Sequence, residues 1–223
     1  MNGIDLVMFD LDGTLVETAP EIMDAVNDAL QRFNLPEVTQ KQVDDWIGHG
    51  TLELLVKALV QITGFTPEAV RASALLNQIV PVYNIAYNAR CGTRSHLYPQ
   101  VRETLVTLRE QGVKLAVVTN KEGRYTQVVL EVQQLSSLFD AVISGDTFAT
   151  KKPNPVGVAH CLAQFNLTPQ QALFVGDSSI DVATARAAGV PVWLLPYGYN
   201  MGAPVEDCQP DRIIQDFSEL LNT

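Results

Sequence analysis

Asp10 and Asp12 stand two positions apart directly after the apolar run Leu6–Phe9, with Gly13 and Thr14 behind them. Thr119 and Asn120 follow a second apolar run, Lys152 lies beyond a third, and Asp177 and Asp181 follow a fourth. Carboxylates gathered around one point repel each other unless a cation neutralises them. Oxygen donors without His or Cys select a hard ion, so Mg²⁺ is the expected cofactor. Asp10, ending a strand, can attack phosphorus and form an acyl phosphate, which splits one difficult displacement into two. A turn after it would swing Asp12 toward the leaving group, as general acid first and as general base on water afterwards. The metal favours the ionised form of Asp10, while like-charge repulsion raises the proton affinity of Asp12. The Lys152 ammonium and the Thr119 hydroxyl supply the other contacts a phosphoryl group needs, and Gly13 lets backbone amides approach it. Such hydrolysis needs accelerations of up to ~10²¹-fold, beyond what a lone side chain supplies.

The elements that must position these groups are legible as short apolar runs: Leu6–Phe9, 115–118, Ala141–Ile143, 173–175 and 190–195. Near-continuous apolar content over so few residues suits strands buried on both faces. Helical patterns lie between the later runs. One places Val101, Leu105 and Leu108 on one face before Gly112, a second spans 155–165, and a third spans 181–188 and stops at Gly189. Strand alternating with helix predicts an α/β fold with a doubly wound parallel sheet. In such a sheet, ligands sit beyond the carboxyl ends of the strands, where all the residues named above fall.

Between Asp10 and the second strand lie roughly a hundred residues, far more than one crossover helix requires. Thr18 with Glu21 predicts a capping box for a helix carrying Ile22, Val26 and Leu30. Thr51 predicts the cap of a second helix, with Leu52, Leu55, Val56 and Leu59 inward. Thr66-Pro67-Glu68 starts a third, which Pro81 should kink or break. The division expected is a helical cap over 16–87, inserted into a catalytic core formed by 1–15 and 88–223.

The formal net charge of −10 argues against a nucleic-acid surface, which needs clustered Lys and Arg. It leaves room for an anionic ligand, because a metal and one local cation override the global field. Cys91, Cys161 and Cys208 have neither zinc-site spacing nor disulfide-scaffold density, and read as free thiols in a reducing compartment. With no membrane-length apolar run and no signal-like N-terminus, the expectation is a soluble, cytoplasmic protein with no membrane partner.

Asp10-Leu11-Asp12-Gly13-Thr14, Val117-Val118-Thr119-Asn120, Lys152-Pro153-Asn154-Pro155 and Val175-Gly176-Asp177-Ser178-Ser179-Ile180-Asp181 resemble, in order, the four motifs of the haloacid dehalogenase-like hydrolases. The resemblance covers essentially the whole chain and implies a Rossmann-like core with an inserted helical cap. It implies Asp10 as nucleophile and Asp12 as acid/base, with Thr119, Asn120 and Lys152 on the substrate phosphate. Asp177 would ligate the metal beside Asp10 and the Asp12 backbone carbonyl, with Asp181 in or just outside that shell. The dehalogenating branch lacks the second Asp of the first motif, so Asp12 places the chain among phosphate-handling members. The cap position, Gly48-His49-Gly50 and Tyr197-Gly198-Tyr199-Asn200 are similar to members that hydrolyse 2-phosphoglycolate. Gln100 in Leu97-Tyr98-Pro99-Gln100, and the weakly polar Asp146-Thr147-Phe148-Ala149, depart from that pattern.

The expected reaction is therefore release of phosphate from a small phosphorylated metabolite, 2-phosphoglycolate first among them. Another small-metabolite phosphatase or a β-phosphoglucomutase-like phosphotransferase is the alternative, and a non-catalytic phosphate-ligand sensor is the reading from a different class. Gly48, His49, Gly50 and Thr51 read either as a turn between cap helices or as an anion site at a helix start, with His49 a recognition residue. Lys151, beside Lys152, reads as a solvated loop lysine. His96 and His160 read as structural or exposed, and Trp46 and Trp193 as packing.

Overall fold

Strand β1 (Leu6–Phe9) is buried at every position, and its pleat sends Val7 and Phe9 into one apolar layer and Leu6 and Met8 into another. The computed structural model describes residues 3–221. The other strands are β2 (Val16–Glu17), β3 (His96–Leu97), β4 (Lys114–Val118), β5 (Ala141–Ile143), β6 (Ala172–Gly176), β7 (Val192–Leu194) and β8 (Arg212–Ile213). Six of them form one sheet in the order β5-β4-β1-β6-β7-β8, parallel throughout, while β2 and β3 pair antiparallel as a separate ribbon. The order reverses direction at β1, so the carboxyl ends of β4, β1 and β6 lie side by side at a topological switch point.

Five helices fall between β2 and β3: α1 (Ala19–Gln31), α2 (Gln40–Asp44), α3 (Thr51–Thr63), α4 (Pro67–Arg71) and α5 (Ala74–Arg90). Four follow: α6 (Val101–Glu110), α7 (Gly123–Val132), α8 (Val156–Phe165) and α9 (Ser179–Ala187). The apolar layer under Val7 and Phe9 runs without a break into Ile22, Leu55 and Tyr83 of the inserted helices. Helix α5 ends at Arg90, so a boundary between 87 and 88 falls inside its last turn.

Several local expectations are corrected. Thr18 and Glu21 form no capping box: the Thr18 hydroxyl donates to Asp12 Oδ1 at 2.7 Å, and Glu21 Oε2 accepts the N–H groups of Arg94 and Ser95 at 3.2 and 3.0 Å. The start of α1 is capped from a distance, by Tyr199 Oη accepting the N–H groups of Thr18 and Ala19 at 3.2 and 3.1 Å. Thr51 is the first residue of α3 rather than its cap; Gly50 occupies that position, and the Thr51 hydroxyl reaches Glu122 at 3.1 Å. Leu52 is half exposed, because its turn of α3 projects past the layer that Leu55, Val56 and Leu59 enter. The expected third helix is two: Thr66 caps α4, a break falls at Ala72 and Ser73, and α5 then runs unbroken through Pro81. Strands β2, β3 and β8, two residues each, are too short for any periodic signal.

Candidate active site

Asp10 keeps to the sheet register, its N–H donating to Val175 O at 3.0 Å, so its carboxylate emerges at the switch point. Asp10 Oδ1 accepts from the Leu11 N–H at 2.7 Å and lies 2.9 Å from Lys152 Nζ. Lys152, buried against the Phe174 ring, also reaches Asp181 Oδ1 at 2.7 Å. Asp181 is wholly buried in the first turn of α9, where its Oδ2 accepts from the N–H groups of Asp177 and Ser178 and from the Ser178 hydroxyl. Asp177 is held between the Thr14 hydroxyl on Oδ1 and the Tyr199 N–H on Oδ2, each at 2.6 Å. Gly198 and Gly13 make that seat possible, since a Cβ on either would strike the Asp177 carboxylate; Gly13 also sits at φ +86°.

Oxygens of Asp10, Asp177 and Asp181 all lie within 4.8 Å of one another. Burial, only partly offset by Lys152 and reinforced by Asp181 and Asp12, pushes the Asp10 carboxyl up to about 6. Burial, then Asp181 and Asp10, hold Asp177 well above the usual carboxylate range. Burial alone would lower Lys152, but Asp10 and Asp181 outweigh it and raise the ammonium. One ammonium thus faces three carboxylates, and the cluster has the all-oxygen chemistry and the charge deficit that a hard divalent cation fits. Each carboxylate has about four lone-pair directions. Asp10 and Asp177 keep free ones, whereas Asp181 Oδ2 is filled by three donors and its Oδ1 is shared with Lys152.

Asp12 lies on the other side of Asp10, with Thr18 on Oδ1 at 2.7 Å and Lys121 Nζ 3.0 and 3.3 Å from its two oxygens. Lys121 is the residue that the sequence reading missed. It is buried, donates to Tyr87 Oη of α5 at 2.6 Å, and stands over that ring at 5.0 Å. Burial works against its charge, but Asp12 more than compensates and the ammonium is raised. The available signal was its place directly behind Thr119-Asn120 at a strand end, where a lysine is not on a solvated face.

A cleft of about 490 Å³ opens above Asp10 and Asp12, walled by Thr119, Asn120 and Lys121 from the core and by Gly48, Gly50 and Thr51 from the helical insert. Asn120 bridges the two, its Nδ2 donating to Gly48 O at 2.9 Å and to Lys152 O at 3.0 Å, with Oδ1 left without a partner among the described residues. Thr119 lines the cleft, and its Oγ1 accepts from the Lys121 N–H at 3.3 Å. His49 is not part of the wall. It sits half buried, held below the usual histidine range by burial and by Lys57, with Lys151 adding to the effect and Glu53 opposing it. Lys151 is exposed, as expected, with its Nζ packed against Gly50. His96 pairs with Glu17 at 2.8 Å on the surface, His160 meets the Phe148 ring edge-on, and Trp193 is covered by Arg212.

A parallel switch-point sheet, four strand-end motifs and a helical insert after the first of them define a hydrolase fold. Residues 7–195 match the haloacid dehalogenase-like hydrolase family, and the chain belongs to it. A phosphoglycolate phosphatase of Aliivibrio fischeri is 42% identical over 98% of this chain and 95% of its own length. That of Haemophilus influenzae strain 86-028NP is 40% identical, covering 97% and 96%. The crystal structure of a predicted phosphoglycolate phosphatase from Haemophilus somnus 129pt superposes with a TM-score of 0.92 at 35% identity, covering 100% of this chain and 98% of that one. Among the described residues no helix is long and apolar enough to cross a membrane.

Proposed function

We propose that the chain is a Mg²⁺-dependent phosphatase that hydrolyses 2-phosphoglycolate to glycolate and phosphate, with Asp10 as the nucleophile. The observation that carries the mechanism is the Asp10–Lys152–Asp181 chain with Asp177 beside it, a buried and charge-deficient apex at the end of the central strands. The substrate follows from the likeness to the phosphoglycolate phosphatases over nearly the full length of both chains.

In this reading residues 16–87 form the cap, and the core of 1–15 and 88–223 carries the chemistry. Asp10 and Asp177 would hold Mg²⁺ with the Asp12 backbone carbonyl, and the ion would supply neutralising charge beside the transferred phosphoryl group. Asp181 holds the ligands rather than the ion, since its filled Oδ2 fixes the backbone of Asp177 and Ser178. Lys152 steadies the ionised Asp10 and then takes phosphate oxygens, together with the Thr119 hydroxyl and the backbone around Asn120. Asp10 attacks phosphorus while Asp12 protonates the departing glycolate oxygen, and Asp12 then takes a proton from the water that discharges the phospho-Asp10. Thr18 and Lys121 fix the Asp12 carboxylate for both transfers. The cap walls exclude bulk water during the first.

The test is phosphate release from a panel of small phosphomonoesters with Mg²⁺ and with EDTA, alongside mass detection of a phosphorylated Asp10 after rapid quenching. A kcat/KM for 2-phosphoglycolate above every other ester, lost with EDTA, is the expected outcome. Equal rates across the panel would remove the substrate assignment, and turnover by Asp10→Asn would remove the nucleophile.

A further inference from the structure

Among the described residues that line the cleft, Lys121 is the one cation, with Lys152 standing behind Asp10. Its ammonium touches both oxygens of Asp12, the group that must meet the ester oxygen at ~3 Å. Whatever leaves with that oxygen therefore departs beside Lys121. The hydroxyl of Tyr87 shares the ammonium from the cap side, so the cation is presented by core and cap together. Beyond the residues assigned to the phosphate and the start of α3, the wall does not favour an anion. Ile22, Ile47 and Leu54 are apolar, and the Glu122 carboxylate, tied to Thr51, repels negative charge from the outer end.

We propose that Lys121 is the specificity residue of this site, reading a carboxylate carried one carbon from the phosphate ester oxygen. The inference rests on the phosphatase reading above. A carboxylate carried by so short a link stays next to the ester oxygen, and the Lys121 ammonium, held by Asp12 and Tyr87, borders that position. A longer acid would drive its carboxylate toward Glu122 and the apolar wall, so the position of the charge sets the length accepted as well as its sign. The pairing with Asp12 leaves an alternative of a different kind, in which Lys121 serves only to neutralise and hold the acid.

The experiment compares each acid with its uncharged amide: 2-phosphoglycolate against phosphoglycolamide, and 2-phospholactate against phospholactamide, with Mg²⁺. The wild-type protein should prefer the acids. Lys121→Met, and Lys121→Gln as a second variant that still donates a hydrogen bond to Asp12, should lower the acid-to-amide ratio of kcat/KM by roughly 10- to 100-fold, the worth of one charged hydrogen bond. Lys121→Arg should keep most of the ratio. Variants that lose the same factor on acid and amide, with the ratio intact, overturn the proposal and leave Lys121 a positioning residue for Asp12. A wild-type protein indifferent to the acid overturns it as well. A Lys121-dependent preference that is stronger for phospholactate would support the proposal while removing 2-phosphoglycolate as the substrate.

Discussion

The Thr18 hydroxyl donates to Asp12 Oδ1 at 2.7 Å, which ties the segment leading into the first inserted helix directly to the carboxyl group assigned to acid–base work. Thr18 is wholly buried, so the bond is protected from water. Replacing it with the near-isosteric Val frees one side of Asp12, while α1 keeps its Tyr199 cap. Thr18→Val should lower kcat roughly tenfold, with KM within a few-fold and an unfolding temperature close to wild type. Steady-state kinetics on 2-phosphoglycolate check it, and an unchanged kcat would show that Asp12 is held sufficiently by Lys121.

Asp10 carries charge at a cost to the metal-free fold, because its carboxyl is raised from 3.8 to about 6 by burial and by neighbouring carboxylates. A raised folded-state value means the native chain binds the extra proton, so this group's contribution to stability falls as pH rises from about 4 to about 6. Asp10→Asn should remove that penalty and, in the proposed mechanism, turnover with it. The variant should be more stable than wild type by about 1–3 kcal/mol at pH 7.5 in EDTA, with the advantage vanishing below about pH 4. Chemical denaturation at the two pH values measures it, and a less stable variant would show that the Lys152 pair outweighs desolvation.

Mg²⁺ should reverse the same penalty in the native sequence. At a concentration about a hundredfold above its dissociation constant, a ligand of the folded state adds about 2.7 kcal/mol. For a chain of this length the melting temperature should rise by roughly 5–10 °C. Differential scanning fluorimetry with and without Mg²⁺ tests it. Asp177→Asn should lose most of the rise, whereas Asp44→Asn, on α2 away from the cluster, should keep it.

Tyr199 stabilises the insert from the core side by accepting two helix-start N–H groups. Tyr199→Phe leaves both without an acceptor in a buried setting and should cost about 1–2 kcal/mol. Thermal unfolding reads the loss, and a KM rise is expected with it, because the start of α1 borders the cleft through Ile22. A variant with wild-type stability would mean that water replaces the phenol.

Much of this protein is written locally. The strands β1 and β5 coincide with the apolar runs expected of them, and β4 and β6 each extend one by a residue or two, because a strand buried on both faces has almost no polar residues to disguise it. Asp10, Thr119, Lys152 and Asp177 each follow such a run, and a parallel sheet brings its carboxyl ends to one edge, so their convergence follows from topology alone. The tertiary structure decided where competing polar bonds went. Thr18 and Glu21 have the spacing of a capping box, yet Asp12 and the Arg94–Ser95 backbone, far off in sequence or across a turn, captured both side chains. Asp181 is expected from sequence in or just outside the metal shell, and only the tertiary structure shows its Oδ2 taking three donors from the Asp177–Ser178 loop while it stays in the carboxylate cluster. Lys121 draws no notice in the sequence, because its ion pair with Asp12, 109 positions away, and its hydrogen bond to Tyr87 exist only once the inserted helices pack on the sheet. Helix and strand periods register neighbours within a few residues. Partners joined by the fold leave no such period, and the residues that orient the chemistry are of that kind.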